Sequence, residues 1–134
     1  MSQHRRPPVS YEAIEGMLAS RQSKWTLVVV LHLRRETMRF SELLRDINGI
    51  SQKALTQTLR ALERDGFVTR TSYATIPPRV DYALTDLGHE VLKAFEAFEA
   101  FAIRHWDRVL EARAQFDARE AEPVEPQLRL STGR

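Results

Sequence analysis

One segment of the chain, residues 51–64, carries polar side chains at a spacing that suits recognition of nucleic-acid bases. Three leucines spaced i, i+4 and i+7 would form the buried stripe of an amphipathic helix, namely Leu55, Leu59 and Leu62. The opposite face would present Gln52, Lys53, Thr56, Gln57 and Arg60. Glutamine can bond the edge of adenine, arginine and lysine reach guanine, and threonine contacts a thymine methyl or a phosphate. The pattern predicts a helix that reads the major groove of DNA.

The same residues would also fit the solvated face of an ordinary bundle helix. Against that alternative, the face lacks the alternating glutamate and lysine pairs usual on solvated helices, and it holds no acid before Glu63. Ser51 is predicted to cap this helix, at the terminus where free backbone amides and the helix dipole favour a phosphate. Ser51 is therefore included among the predicted DNA contacts.

The segments on either side are those of a helix-turn-helix followed by a β-hairpin. Ser41 is predicted to cap a short helix over residues 42–47, which Asn48-Gly49 would end because both residues tolerate the left-handed conformation. Residues 67–73 and 80–84 alternate as strands do, and Pro77-Pro78 would lie at the loop tip because proline cannot donate to a ladder. This order of elements is that of a winged helix-turn-helix.

Three further polar residues are predicted to contact DNA around this motif. Arg79 in the hairpin would enter a minor groove or meet a phosphate. The alternative to this DNA contact is that Arg70 and Arg79 form ion pairs with Asp81 across the hairpin. Arg39 and Ser41 precede the first helix of the motif, which normally crosses the phosphate backbone.

Charge and composition agree with a nucleic-acid binder. The 134 residues suffice for one domain. Residues 1–84 carry 13 basic and 8 acidic residues, a net of +5, whereas residues 85–134 carry 7 and 10, a net of −3; together these give the overall +2. Positive charge gathered in one half is the electrostatic footprint of a phosphate binder. No apolar run is long enough to span a membrane, so a cytoplasmic location is expected.

No residue pattern suggests catalysis, a metal or a cofactor. The four histidines, at positions 4, 32, 89 and 105, lack metal-ligand spacing. No glycine-rich phosphate loop and no recognisable nucleophile setting occur. The absence of cysteine excludes disulfides and thiolate chemistry. A winged helix that binds only proteins is the other rival, and the cations Lys53 and Arg60 on the polar face argue against it.

The folded domain is predicted to span residues 11–119, between a disordered basic leader at 1–10 and a disordered tail at 120–134. Helices are predicted over residues 11–19 and 24–35, and an extended linker over residues 38–40.

A last helix is predicted over residues 85–116, about 48 Å long, with apolar positions sustained for six turns. Such an exposed face would join two copies of the chain, together with the first helix. The predicted interface residues are Leu87, Val91, Phe95, Phe98, Phe101, Ala102 and Trp106. Folding back onto its own domain is an alternative that the length disfavours. Another is that the phenylalanines and Trp106 line a pocket for a small-molecule effector at the dimer interface.

In this order, the segments resemble the HxlR family of bacterial winged-helix regulators. The matching stretches are KWTL at 24–27, RFSEL at 39–43, GISQKALT at 49–56, LRALERDG at 59–66, PPRVDY at 77–82 and LTDLG at 84–88. The resemblance covers about residues 11–105. It implies a mainly α fold with a small β-hairpin wing at residues 73–80 and a long C-terminal dimerisation helix. It also implies a homodimer that represses transcription from a palindromic operator, usually near its own gene.

Two departures from the family pattern limit what the resemblance implies. Family members commonly have a cysteine near the start of the first helix, around residues 11–12, and many use it to sense oxidants or electrophiles. This chain has no cysteine, so that mechanism does not carry over. The usual pair of small residues before Lys24-Trp25 is replaced by Gln22-Ser23.

Overall fold

A computed structural model describes residues 10–18 and 23–123. The helices it describes are α1 Tyr11–Leu18, α2 Ser23–His32, α3 Phe40–Asp46, α4 Gln52–Arg64 and α5 Asp86–Ala121. The strands are β1 Met38–Arg39, β2 Val68–Tyr73 and β3 Arg79–Leu84. This mainly helical architecture with a small β-hairpin wing is the predicted one. Most of the predicted leader and tail lies outside the described residues. The chain forms two compact units, the first ending at Glu96 and the second beginning at Ala97.

The sheet has three antiparallel strands in the order β1-β3-β2. The two longer strands form the predicted hairpin, in a register that pairs Val68 with Leu84 and Tyr73 with Arg79. The extended linker predicted before α3 is in fact strand β1, which places Arg39 opposite Asp81. A strand of two residues has no periodicity of its own, so only its pairing with a distant strand reveals it.

The short helix α3 begins one residue before the predicted cap. Strand β1 runs directly into the helix, so the extended residue at the cap position is Arg39, and its backbone N–H donates to Glu42 Oε1 at 2.9 Å. The prediction of Ser41 as the cap is therefore wrong. Ser41 lies instead in the first turn of α3, where it is exposed.

Two other helices end at residues that differ from the predicted ones. Helix α2 stops at His32, where the predicted helix continued to residue 35. Helix α5 continues to Ala121, five residues past the predicted end and two into the predicted tail. The sequence after residue 116 contains no glycine or proline before Pro123, so nothing local stops the helix earlier.

Helix α4 has the predicted cap and the predicted buried stripe. Ser51 Oγ accepts the backbone N–H of Ala54 at 3.0 Å. The three leucines of the stripe are at most 2% exposed and pack into the core of the first unit with residues of α2 and α3, among them Val29, Val30 and Leu43. Thr58 is also buried, although its polar type gave no reason to expect this.

The turn that follows α4 is hydrogen-bonded to the start of α5. Gly66 adopts a positive φ of 82°, which favours glycine. The Phe67 carbonyl accepts the backbone N–H of Thr85 at 3.0 Å, and Thr85 Oγ1 donates to the Gly66 carbonyl. The same hydroxyl accepts the backbone N–H of Gly88 at 3.0 Å and so caps α5. This turn anchors both the wing and the first turn of α5.

In the second unit, the helical residues 97–121 leave large apolar side chains exposed. The exposed fractions are 59% for Phe98, 58% for Phe101 and 48% for Trp106, and the guanidinium of Arg113 lies 5.2 Å from the Trp106 ring centre. Among the described helices, none combines the length and hydropathy needed to cross a bilayer.

Candidate nucleic-acid interface

All five polar residues predicted to read DNA lie exposed on α4. These are Gln52, Lys53, Thr56, Gln57 and Arg60. The first turn of the helix contains no acidic residue, so nothing there repels a phosphate. Ser51 is exposed as well, and because its hydroxyl oxygen accepts the capping hydrogen bond, its own O–H is left to donate.

Helix α4, the start of α3 and the wing enclose one groove of about 1030 Å³. Its lining residues are Arg39, Phe40, Ser41, Thr56, Arg60, Glu63, Arg70, Thr75, Ile76, Pro77, Pro78, Arg79, Val80 and Tyr82. Four arginines thus face one carboxylate, that of Glu63. A groove with this charge attracts a polyanion such as the DNA backbone.

The groove brings together five of the nine predicted DNA-binding residues: Arg39, Ser41, Thr56, Arg60 and Arg79. The other four, Ser51, Gln52, Lys53 and Gln57, lie on or next to the N-terminal half of α4, beyond the groove lining. Sequence reasoning missed the contribution of the wing tip, residues 75–78, and named Arg70 only as a partner for Asp81. The signal available for the tip was the apolar residue immediately before Pro77-Pro78.

Arg79 forms a bidentate ion pair with Asp81. Its Nε lies 2.8 Å from Asp81 Oδ1 and its Nη2 lies 2.9 Å from Oδ2. The carboxylate is buried, whereas the arginine side chain is 41% exposed, and its guanidinium lies 5.4 Å from the centre of the Tyr73 ring. The pair runs along β3 rather than across the hairpin, and within the described residues Arg70 forms no ion pair.

This ion pair and a DNA contact by Arg79 are compatible. A guanidinium carries five N–H donors, of which the Asp81 carboxylate uses two. The remaining donors, including both on Nη1, are available to a phosphate or a base edge. Asp81 therefore restricts the rotamers of Arg79 and leaves one side of the guanidinium available for DNA.

Each partner shifts the pKa of the other. The hydrogen bonds from Arg79 hold the pKa of Asp81 below its usual range, against the opposing effect of burial, and the nearby charge of Arg39 adds to the lowering. Asp81 in turn raises the pKa of Arg79. The pair therefore stays ionised across the physiological range.

Replacing Asp81 with asparagine is expected to lower the melting temperature at neutral pH, because the buried carboxylate that accepts two charge-assisted hydrogen bonds is removed. A carboxylate whose pKa is lowered by folding stabilises the folded state above its unfolded value of about 3.9. That stabilisation disappears as the pH falls through the lower folded-state pKa. Thermal unfolding of both proteins between neutral and strongly acidic pH should therefore show the difference shrinking below about pH 4.

Asp46→Asn is the matched control, because Asp46 pairs with Arg45 on the exposed surface. Surface pairs contribute little to stability, so its melting curve should follow that of the unmodified protein at every pH. An Asp81→Asn protein with the same melting temperature as the control at neutral pH would contradict a stabilising role for the buried pair.

The residues predicted for the dimer interface fall into two groups. In the first unit, Val91 and Phe95 are partly buried against their own core, whereas Leu87 is 53% exposed. In the second unit, Phe98, Phe101 and Trp106 are exposed and Ala102 is half-buried. Part of the interface predicted on α5, namely Val91 and Phe95, therefore packs against the core of its own domain.

The comparison with known proteins agrees with this geometry. Residues 21–109 match the model of the family described as HxlR-like helix-turn-helix. The chain belongs to the HxlR-like helix-turn-helix family. As a member, it is a transcriptional regulator with a winged helix-turn-helix DNA-binding domain.

Relatives of this HxlR-like regulator, and similar proteins whose structures are solved, carry the same type of domain. The chain is 42% identical over 91 residues to the uncharacterized HTH-type transcriptional regulator YtfH of Escherichia coli, a match that covers 68% of this chain and 72% of YtfH. The structure of ytfH from Salmonella typhimurium has a TM-score of 0.67 at 36% identity, and the match covers 78% of this chain and 91% of that one.

A further similar structure is that of the redox regulator HypR in its reduced form. It has a TM-score of 0.66 and 30% identity, over 78% of this chain and 99% of HypR. The 134 residues of this HxlR-like regulator contain no cysteine, so thiol oxidation within them cannot control DNA binding.

Proposed function

We propose that this HxlR-like regulator represses transcription as a homodimer bound to a palindromic operator. Helix α4 enters the major groove, and the wing contacts the adjacent minor groove and backbone. The observation that carries the proposal is the cationic groove, because it is formed jointly by α4 as the recognition helix, the wing and the start of α3. These are the three parts of a winged helix-turn-helix that meet DNA.

Different residues of this surface contribute to affinity and to sequence preference. Arg60 and Gln57, on the middle of α4, are assigned to base edges, since their side chains match guanine and adenine. Gln52, Lys53 and Thr56, with Ser51 at the cap, contact bases or the adjoining phosphates. Arg39, Ser41 and Arg79 are assigned to phosphates or the minor groove, which position the protein.

The apolar side chains left exposed in the second unit support the proposed homodimer. Phe98, Phe101 and Trp106 form a surface that a soluble monomer rarely leaves in water. In the first unit, Ile14 and Met17 on α1 and Leu87 on α5 are also exposed, and these side chains are assigned to contacts with the partner chain as well. A two-fold dimer places two α4 helices on half-sites one DNA turn or a multiple apart, so the operator is palindromic. A dimer seated across a promoter blocks access of the polymerase, which is repression.

A gel-shift titration at rising salt concentration, with duplex DNA from around the protein's own gene, tests the proposal. Six or more phosphate contacts per dimer should lower the affinity roughly a thousandfold between about 50 and about 200 mM salt. Light scattering should give twice the chain mass of 15.5 kDa at micromolar concentration. Lys53→Ala should make the logarithmic salt dependence less steep, by about 0.9 for each phosphate that the protein no longer neutralises.

The matched control is Lys93→Ala, since Lys93 on α5 pairs with Glu90 and lies outside the groove. It should leave both affinity and salt dependence unchanged. Absence of binding at low salt on every promoter-proximal fragment would refute the DNA assignment. A monomer mass would refute the dimer and with it the palindromic operator.

A further inference from the structure

The tip of the wing presents an apolar surface that the described part of the chain leaves in contact with solvent. Ile76 has a fully exposed side chain, with a relative exposure of 102%, and Pro77 and Pro78 follow it directly. Tyr73, at the end of β2, is 45% exposed. Because Ile76, Pro77 and Pro78 are consecutive and all exposed, the tip presents a continuous apolar surface to water rather than one scattered side chain.

The tip is held in one conformation. The hydroxyl of Thr75 donates to the Pro77 carbonyl at 2.8 Å. Two consecutive prolines fix their own φ angles, and the flanking residues Tyr73 and Arg79 are paired across the hairpin. Little conformational entropy therefore has to be given up when this tip meets a partner, which favours binding.

The charge around the tip selects an anionic partner. Residues 69–80 contain two arginines and no carboxylate. The first carboxylate after them, that of Asp81, pairs with Arg79, so residues 69–81 carry a net charge of +1. Ile76 also lines the cationic groove, as do Thr56 and Arg60 of the recognition helix. The tip is apolar, lies between cations and is next to the helix proposed to read bases. These properties match a DNA groove, which has apolar deoxyribose walls and phosphates along its rims.

We propose that Ile76 inserts into the minor groove of the operator, next to the major-groove site of α4, and packs against the deoxyribose walls. The minor groove of B-DNA is about 6 Å wide, and isoleucine is one of the apolar side chains that proteins insert there. This inference rests on the proposed function and adds a contribution that does not depend on counterion release. Affinity from Ile76 is therefore independent of salt concentration, unlike that from the arginines.

The test compares Ile76→Ser with Ile76→Leu on one duplex, the promoter-proximal fragment that the unmodified protein retards. The side chain of Ile76 is fully exposed, so neither substitution removes core packing and both variants should be fully folded. Ile76→Ser should weaken binding about tenfold or more at every salt concentration, with an unchanged logarithmic slope, because its apolar burial against DNA is removed. Ile76→Leu should keep the affinity to within about threefold, since it retains a side chain of the same apolar volume.

Hydroxyl-radical footprinting gives the second readout. The unmodified protein and Ile76→Leu should protect a patch of deoxyriboses in the minor groove beside each half-site. Ile76→Ser should lose that patch and keep protection elsewhere. Equal affinity and an unchanged footprint for Ile76→Ser would overturn the insertion of Ile76 and leave the proposed function intact. Weaker binding of Ile76→Ser with a changed logarithmic salt slope would also overturn the insertion and leave the proposed function intact.

An anionic membrane surface is the other partner whose chemistry matches the tip. Binding to vesicles of phosphatidylcholine with phosphatidylglycerol distinguishes this partner from DNA. Vesicle binding that disappears in Ile76→Ser, with DNA affinity unchanged, would overturn the minor-groove assignment. Failure of the unmodified protein to bind any promoter-proximal duplex would overturn the proposed function and this inference together.

Discussion

Replacing Gly88 with alanine is expected to lower the melting temperature of the protein by roughly 10 °C or more. A Cβ at this position would overlap the Phe67 carbonyl oxygen and would lie 3.1 Å from the carbonyl carbon and 3.2 Å from Leu84 Cδ2. Because the first obstacle is backbone, the clash is relieved only by moving α5 away from the turn. Forced overpacking of this kind costs about 1 to 3 kcal/mol and more where backbone must shift.

The shift would also break the capping contacts at this turn. Phe67 accepts the N–H of Thr85, and Thr85 caps α5 through Gly88. Thermal unfolding followed by circular dichroism measures the effect. Both proteins are compared at one concentration, since the melting temperature of the proposed dimer would depend on concentration.

Gly16→Ala is the matched control for this substitution. Gly16 also lies within a helix, α1, and a Cβ added there meets nothing within 4 Å. Alanine exceeds glycine in helix propensity by about 1 kcal/mol, so this variant should melt at the same temperature or slightly higher. If Gly88→Ala has the same melting temperature as Gly16→Ala, the close approach of α5 to Phe67 does not determine stability.

Replacing Arg60 with alanine is expected to reduce affinity for the operator by about thirtyfold or more, because the proposed dimer contains two copies of Arg60. A good bidentate contact to a base contributes about 1 to 3 kcal/mol of discrimination. Arg60 is exposed on α4 and lines the cationic groove, so the substitution should remove a DNA contact without a cavity. Fluorescence anisotropy on the footprinted duplex and on a scrambled duplex of equal length should show a much larger reduction on the footprinted one.

Arg70→Ala provides the control of equal charge. Arg70 lines the same groove from the wing and has no ion pair within the described residues, so its removal leaves no unpaired buried group. Binding should weaken by similar factors on both duplexes, as expected for a phosphate contact. Arg79→Ala is less informative, because it would also leave the buried Asp81 carboxylate unpaired. Equal reductions on the two duplexes for Arg60→Ala would refute its assignment to a base.

The recognition helix was predictable because its determinants are local. The leucine spacing, the Ser51 cap and the exposed polar face all follow from which residues lie three or four positions apart, and the structure has each of them. The hairpin was predictable for a similar reason, since strand alternation and the Pro77-Pro78 break are properties of neighbours in the chain. The interface residues of α5 stay a prediction, because the partner that would cover them lies outside the chain.

The sequence by itself thus determined the order of the elements, the polar face of α4 and the exclusion of thiol chemistry. Tertiary structure alone decided that residues 38–39 form a strand, that Asp81 is buried while holding Arg79, and that Gly88 has no room for a side chain. Periodicity and capping depend on residues that are neighbours in the chain, so they are visible in the sequence. Strand pairing, burial of an ion pair and the space beside a glycine depend on residues brought together only by packing of the core.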